Sequence, residues 1–334
     1  MQRDEAEPAA IDRGRYGDAV TPWEDTAWRA DALGWARREL AAHGLRPARE
    51  WRVRLRPWSV LFRLTLVGGD AVWFKANPPA SAFEAGLGAA LARRVPGHVL
   101  RPLAVDTDRG WSLLPDGGEV FRDLLAREPH DPRAWEEPLR QYAAMQRALI
   151  PYADEIERLG VPGARTTALP GVFDRIVEES TALSADDRTR LLAARPRLVD
   201  RCAELAAAGI ADSLDHADLH DAQMFRPAPG RFTFFDWGDA LVSHPFCSFL
   251  VPARLAAERY GPEVLPRLRD AYLEPWTGDG RTSAGLRRAL ALAGRLAAVG
   301  RAGSWGRLFP GAAAAGSSQA AAWLLELVTE RSAS

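Results

Sequence analysis

The stretch His216-Ala217-Asp218-Leu219-His220-Asp221-Ala222-Gln223 places two histidines, two aspartates and a side-chain amide close together. Histidine and aspartate at alternating positions can converge on zinc or a dinuclear centre, so a metal hydrolase is one reading of this loop. Further ligands are scarce: the chain has 6 histidines, and of the others only His244 lies nearby in sequence. A polar loop whose groups satisfy one another is the bland alternative. A third reading uses the hairpin that follows. Gln223 stands before the turn signal Ala228-Pro229-Gly230 and Asp236 a similar distance after it, so the folded hairpin returns both side chains to one end. An amide oxygen and a carboxylate, with Asp218 just upstream, can hold Mg2+ on a polyphosphate while a base addresses a hydroxyl.

A second constellation lies far upstream. Among 43 basic residues, Lys75 is the only lysine. Arginine does not reproduce a compact ammonium where geometry is tight, so Lys75 is either a chance survivor of base composition or a residue held by chemistry. Glu84 follows on a helical pattern with Leu87, Gly88 and Leu91 at its third, fourth and seventh positions, which edges its carboxylate onto an apolar stripe. A half-buried carboxylate needs a cation, and Lys75 is the natural one; a solvated acid on the helix face is the alternative.

The elements that must position these groups are legible in outline. Apolar residues at Trp28, Ala32, Leu33, Ala36 and Leu40 predict a helix from about residue 24 to His43, with Gly44 as its stop. Trp51, Val53 and Leu55 alternate with arginines, and Val60, Phe62, Leu64 and Leu66 alternate after Pro57-Trp58-Ser59, which predicts two antiparallel strands. Gly68-Gly69-Asp70 turns the chain into a third strand over 71–75. A helix over about 81–94 and strands over 99–105 and 111–114 complete this part. Pro115-Asp116-Gly117-Gly118 is punctuated like a hinge, and beyond it the pattern is mainly helical: 120–127, 133–149, 171–179, 185–208 and several helices after Cys247. The run 311–322, rich in Ala, Gly and Ser, reads as a helix start or a flexible segment.

The 334 residues suffice for two domains, and 47% apolar with 26% charged residues is ordinary globular composition. A formal charge of -1 argues against the one-sided field of a dedicated nucleic-acid or anionic-membrane binder. Cys202 and Cys247 are too few for a disulfide framework and point to a reducing compartment, with the cytoplasm as the expected location. The acidic start and the lack of any run of 18 apolar residues predict neither export nor membrane spanning.

His216-Ala217-Asp218-Leu219-His220 with Gln223, followed by Phe234-Phe235-Asp236-Trp237, resembles the catalytic loop and metal-binding hairpin of the aminoglycoside phosphotransferase and choline kinase-like family, related in fold to protein kinases. The departures are Ala217 for the usual Gly, Asp221-Ala222 for Pro-Gly, and Gln223 for Asn. The order of Lys75 on a third strand and Glu84 on the next helix is similar to that family too, so the resemblance covers nearly all of the chain after the first helix. It implies an α+β, two-lobed protein-kinase-like fold: an N-terminal helical extension (1–44), an N-lobe of small antiparallel sheet plus helix (45–114), a hinge (115–119) and a mostly helical C-lobe (120–334).

The activity implied is transfer of the γ-phosphoryl group of ATP or GTP to a hydroxyl of a small molecule such as an aminoglycoside, amino sugar or choline-like acceptor. By the same resemblance Lys75, positioned by Glu84, holds the phosphates, Ser59 is a weak phosphate contact, and the backbone near Leu114 receives the base. Gln223 and Asp236 bind Mg2+, and Asp218 is the catalytic base. Asp239 either meets a cationic acceptor or caps the next helix, and Trp237, Trp276 and Trp305 are candidates to floor an acceptor pocket. His244-Pro245 and Ser248 stand where the family often carries Asp-Pro and a further Asp, so the usual anchor of the loop is missing. A nucleotide-binding pseudokinase is the leading alternative, suggested by Gln223 and Asp221-Ala222.

Overall fold

The computed structural model describes residues 8–17, 21–127, 131–307 and 313–329. The chain divides into two compact units, the first holding residues up to 96, 100–116 and 307–313, the second 97–99, 117–306 and 314 onward.

The first unit is built on a six-stranded sheet in the order β1-β2-β3-β4-β6-β5: β1 (Ala10–Asp12), β2 (Pro47–Arg56), β3 (Ser59–Leu66), β4 (Ala71–Ala76), β5 (Ala104–Asp106) and β6 (Trp111–Pro115). The arginine-alternating pattern of β2 appears as strict alternation of buried Trp51, Val53 and Leu55 with exposed arginines. The expected antiparallel sheet is corrected in one respect. β1 runs parallel to β2, Ala10 opposite Arg52 and Asp12 opposite Arg54, so the sheet is mixed. Three residues are too short to show a period, which is why the sequence did not announce this strand.

Helix α1 (Thr26–Ala42) starts where Asp25 accepts the Ala27 N–H at 2.8 Å. Its buried face (Ala32, Leu33, Trp35, Ala36, Leu40) joins Trp51, Phe62, Phe74 and Trp111 of the sheet in one core. Phe62 and Phe74 stack at 4.7 Å with Trp111 edge-on to Phe74 at 5.4 Å. Burying each such ring stabilises by about 1.5–3 kcal/mol. The expected extension over 1–44 is therefore no appendage where it is described: α1 supplies one wall of this core. Helix α2 (Phe83–Arg94) follows β4, and the strand expected over 99–105 shortens to β5.

The second unit is mostly helical. Its helices are α3 (Phe121–Arg127), α4 (Glu136–Leu149), α5 (Ala153–Arg158), α6 (Leu169–Glu179), α7 (Ala185–Ala207), α8 (Leu250–Tyr260), α9 (Leu265–Leu273), α10 (Ser283–Ser304) and, all but its first residue, α11 (Ala313–Leu325). The Ala-rich run is thus helical from Ala313, and 311–312 lie outside the described residues. Two small ribbons interrupt the helices. One has the order β10-β9-β7, from β7 (Glu119–Val120), β9 (Met224–Ala228) and β10 (Arg231–Phe234); the other pairs β8 (Ser213–Asp215) with β11 (Leu241–Ser243). The division between units falls at Asp116/Gly117. Gly117 is required by space: a Cβ there would sit 2.1 Å from Phe225 Cδ2, whose ring stacks on Phe235 at 4.0 Å.

Candidate active site

In the first unit, β4 lies between β3 and β6, with Lys75 registered against Leu61 and Ser112. Lys75 Nζ donates to Glu84 Oε1 at 2.7 Å, and the two side chains are 8% and 9% exposed. The expected pair is thus formed and buried. Asn77 was not anticipated. Its amide donates to the other Glu84 oxygen and, at 3.3 Å, to the Ser81 carbonyl, so the carboxylate is held at both oxygens. The signal was available, because Lys75 and Asn77 are two apart and extended chain puts such residues on one face. Ser59 opens β3 at the same end of the ladder, where Val60 pairs with Ala76, and it is buried. Leu114 lies in β6 opposite Trp73, and Pro115 ends that strand opposite Val72.

In the second unit the loop after β8 carries the polar chemistry. Asp215, fully buried, accepts from the Ala217 N–H (2.9 Å), the Ser243 hydroxyl (3.1 Å) and the Ser248 hydroxyl (2.5 Å). Burial pushes its carboxyl above the usual range against those donors. Ser248 also meets the Tyr142 hydroxyl at 3.0 Å, and Tyr142 accepts the His216 N–H at 3.0 Å. Gln146 donates to the Leu214 and Pro245 carbonyls at 2.8 and 3.0 Å. This network anchors the loop, and Asp215, Tyr142 and Gln146 went unremarked in the sequence because the network draws on three distant segments.

The histidines brace the loop. His216 Nε2 donates to the Phe235 carbonyl at 2.8 Å, tying the loop to the end of the β9–β10 hairpin. Burial pushes its pKa below the usual histidine value. His220 Nδ1 accepts the Ala222 N–H at 3.0 Å, and burial pushes its pKa down to about 4. His244 Nδ1 accepts the Phe246 N–H at 3.2 Å. Among the described residues no three His, Cys, Asp or Glu side chains cluster as a metal set, so the geometry gives the metal-hydrolase reading no support.

Gln223 and Asp236 meet as the hairpin argument expected, with Gln223 Nε2 donating to Asp236 Oδ2 at 2.9 Å. Asp236 sits in the left-handed region at φ 67°, which Asp tolerates better than most residues. Carboxylate and amide oxygens are hard donors that suit Mg2+, which keeps several waters and takes few protein ligands, so the pair fits that ion. Asp221 is committed elsewhere: Arg122 of α3 donates to it at 2.8 Å.

Asp218 reaches Arg301 of α10, whose Nη2 donates to Asp218 Oδ1 at 2.6 Å while Nη1 donates to Asp239 Oδ2 at 3.0 Å. Burial pushes the Asp218 carboxyl up, to about 7; Arg301 pulls against that shift, and Asp239 and Asp236 reinforce it. Ala217, just before it, has φ 60°. Asp239 is therefore no helix cap; His244 caps the next helical turn. Trp237 is 3% exposed with its ring 4.7 Å from that of His216, and Trp276 is 1% exposed, so both are packing residues and neither presents a face to an acceptor. Trp305 is half-buried beneath Arg301, 5.9 Å from guanidinium carbon to ring centroid. Sequence reasoning missed Arg301 as well. It is one of four arginines in an Ala- and Gly-rich helix, and nothing local sets it apart from the other three.

No protein-family model and no curated protein sequence matches the chain. Solved structures do match it. A macrolide 2'-phosphotransferase from Brachybacterium faecium aligns with TM-score 0.56 and 18% identity over 88% of this chain and 98% of its own. An ethanolamine kinase from Plasmodium vivax aligns with TM-score 0.61 and 13% identity over 94% of this chain and 91% of its own. An aminoglycoside 2'-phosphotransferase in its GDP complex aligns with TM-score 0.50 and 15% identity over 80% of this chain and 89% of its own. The chain thus has the α+β fold of the protein-kinase-like small-molecule kinases.

Proposed function

We propose that this protein transfers the γ-phosphoryl group of ATP or GTP to a hydroxyl of a small molecule. The observation that carries the reading is the Lys75–Glu84 pair, 2.7 Å apart and almost fully buried. A buried ion pair is a poor device for stability, since desolvation offsets most of its attraction. A lysine held in place by a carboxylate is, however, a ready point charge for nucleotide phosphates. It is also the one lysine of the chain.

The other roles follow from the second unit. Asp218, on a loop braced by His216 and Asp215, takes the proton of the acceptor hydroxyl as its oxygen bonds to the γ-phosphorus and the bond to the β-phosphate oxygen breaks. Gln223 and Asp236 would hold Mg2+, whose charge offsets that of the phosphates. For Gln223 to serve as ligand, its amide turns so that oxygen replaces the nitrogen now donating to Asp236. Ser59 and the backbone about Leu114 are assigned to the phosphates and the base. The names of the structural neighbours support this chemistry, and the GDP complex among them keeps GTP alongside ATP. Two buried free thiols suit the cytoplasm, and the near-balanced charge suits a small-molecule partner, without nucleic acid or membrane. No helix among the described residues is long and apolar enough to cross a membrane.

The test is nucleotide consumption across amino sugars, sugars, amino alcohols, nucleosides and hydroxylated antibiotics, with product identified by mass. One acceptor phosphorylated by the wild type and not by Asp218→Asn supports the reading. The Gln223 amide facing Asp236 with its nitrogen favours a second reading, a nucleotide-binding regulatory module. Tight nucleotide binding with no product from any acceptor would select it.

A further inference from the structure

Every carboxylate in the segment 215–239 has an internal donor. Asp215 takes two hydroxyls and a backbone N–H, Asp221 takes Arg122, and Asp236 takes Gln223. Asp218 and Asp239 share Arg301. We propose that Arg301 is the built-in counter-ion of the acceptor position, so that the compound phosphorylated offers Asp218 a hydroxyl on an uncharged or anionic framework and sets no ammonium against Asp218 and Asp239. This names the acceptor class for the phosphotransfer reading above and rests on it.

A carboxylate that already holds an internal cation has less attraction left for a cationic acceptor. Here Asp218, the proposed base, and Asp239 are bridged by one guanidinium, 2.6 Å to Asp218 and 3.0 Å to Asp239. The Arg301 side chain is 11% exposed, less than the 21% of Asp218 and the 34% of Asp239 that it serves. The cation lies beneath its partners and is no passing surface contact.

Three features hold it there. Trp305 and Trp323 lie 5.9 and 5.8 Å from the guanidinium carbon, so the aromatic rings that would suit an acceptor's quaternary ammonium face an internal cation instead. Gly300 precedes it on α10, where a Cβ would come within 2.7 Å of Leu241 Cδ1; the missing side chain lets the helix lie close to β11. The Ser304 hydroxyl donates to the Arg301 carbonyl at 2.9 Å, in the last turn of the helix. An acceptor ammonium must either expel this tethered cation or sit beside it, and like charges repel strongly in a partly desolvated site.

The experiment has one arm that needs no turnover. Arg301→Ala and the milder Arg301→Gln leave Asp218 and Asp239 without their cation. Methylguanidinium at millimolar concentration is expected to raise the Tm of these variants saturably, to leave the wild type unchanged, and to lose its effect in Arg301→Ala/Asp239→Asn. Equal stabilisation of the wild type, or none of either single variant, overturns the proposal. The second arm compares an amino sugar with the parent sugar carrying hydroxyl in place of the ammonium. Wild type is expected to favour the uncharged member about tenfold or more in kcat/KM. In Arg301→Gln the ratio should narrow or invert, and taking the ratio within one variant cancels any shared loss of kcat. A wild-type preference for the amine overturns the proposal. Absence of product from every acceptor would sink the phosphotransfer reading, while the methylguanidinium result would still decide whether Arg301 fills a cation site.

Discussion

Removing Lys75 and Glu84 singly and together separates what the pair does for stability from what it does for nucleotide. At 2.7 Å the attraction is roughly 6 kcal/mol for an effective dielectric of about 20, from which desolvation of both groups must be subtracted. Lys75→Met strips the cation from a side chain only 9% exposed, leaving Glu84 with the Asn77 amide in place of a full charge. Breaking one side of a buried pair typically costs about 3–5 kcal/mol. Glu84→Gln leaves an ammonium buried with a neutral amide and should cost a similar amount. The double variant Lys75→Met/Glu84→Gln buries no charge at this point, so it should recover a coupling energy of about 2–4 kcal/mol relative to the sum of the singles. Urea unfolding of the four proteins measures this directly. Additivity within about 0.5 kcal/mol would refute the buried-pair argument. The functional half is read by nucleotide binding to the double variant: stability returns, while affinity for ATP or GTP stays at least tenfold below wild type because the phosphates have lost their point charge. Full affinity in a stable double variant would reduce the pair to packing.

Asp218→Asn should lower kcat by about 100-fold or more with nucleotide affinity within a few-fold, since the base is lost and the phosphate clamp is kept; an equal loss of nucleotide binding would count against the role. Because Asp218 must be ionised to accept a proton and burial raises its pKa to about 7, kcat/KM should be high above neutral pH and fall as pH drops through that region. A profile flat down to pH ~5 would contradict that assignment. Ala217→Gly should stabilise by about 0.5–1 kcal/mol in urea unfolding, since a left-handed residue costs about 1–2 kcal/mol with a Cβ and glycine returns part of that gain as chain entropy; a loss of stability would show that φ 60° is not strained here. Gln223→Asn should keep or improve the Mg2+ dependence, whereas Gln223→Ala should raise the Mg2+ needed for half-maximal activity; an unchanged requirement in the Ala variant would remove Gln223 from the ligand set.

The sequence alone determined what depends on short-range periodicity and turn chemistry. Buried Trp51, Val53 and Leu55 alternating with arginines, the stripe of α2 and the hairpin at Ala228-Pro229-Gly230 all follow from the period of the backbone, which neighbouring residues express on their own. Those elements sufficed to bring Gln223 to Asp236 and Lys75 to Glu84, because each pair is joined by one turn or one strand-to-helix connection. Packing alone decided the rest. Arg301 is 83 residues from Asp218 and 62 from Asp239, and nothing near it in sequence records that α10 will lie against β11. Asp215 finds Ser248 33 residues away, and Tyr142 finds Ser248 106 residues away, so this anchor of the loop is visible only once α4 and the turn at 245–249 have packed. Trp237 carried the same ambiguity, since an indole reads alike whether it floors a pocket or fills a core, and only the 4.7 Å approach of His216 decides for the core. The physical division is between interactions set by the repeat of the chain and those set by which surfaces exclude water together. The first are local and can be read in order; the second depend on the whole chain having folded.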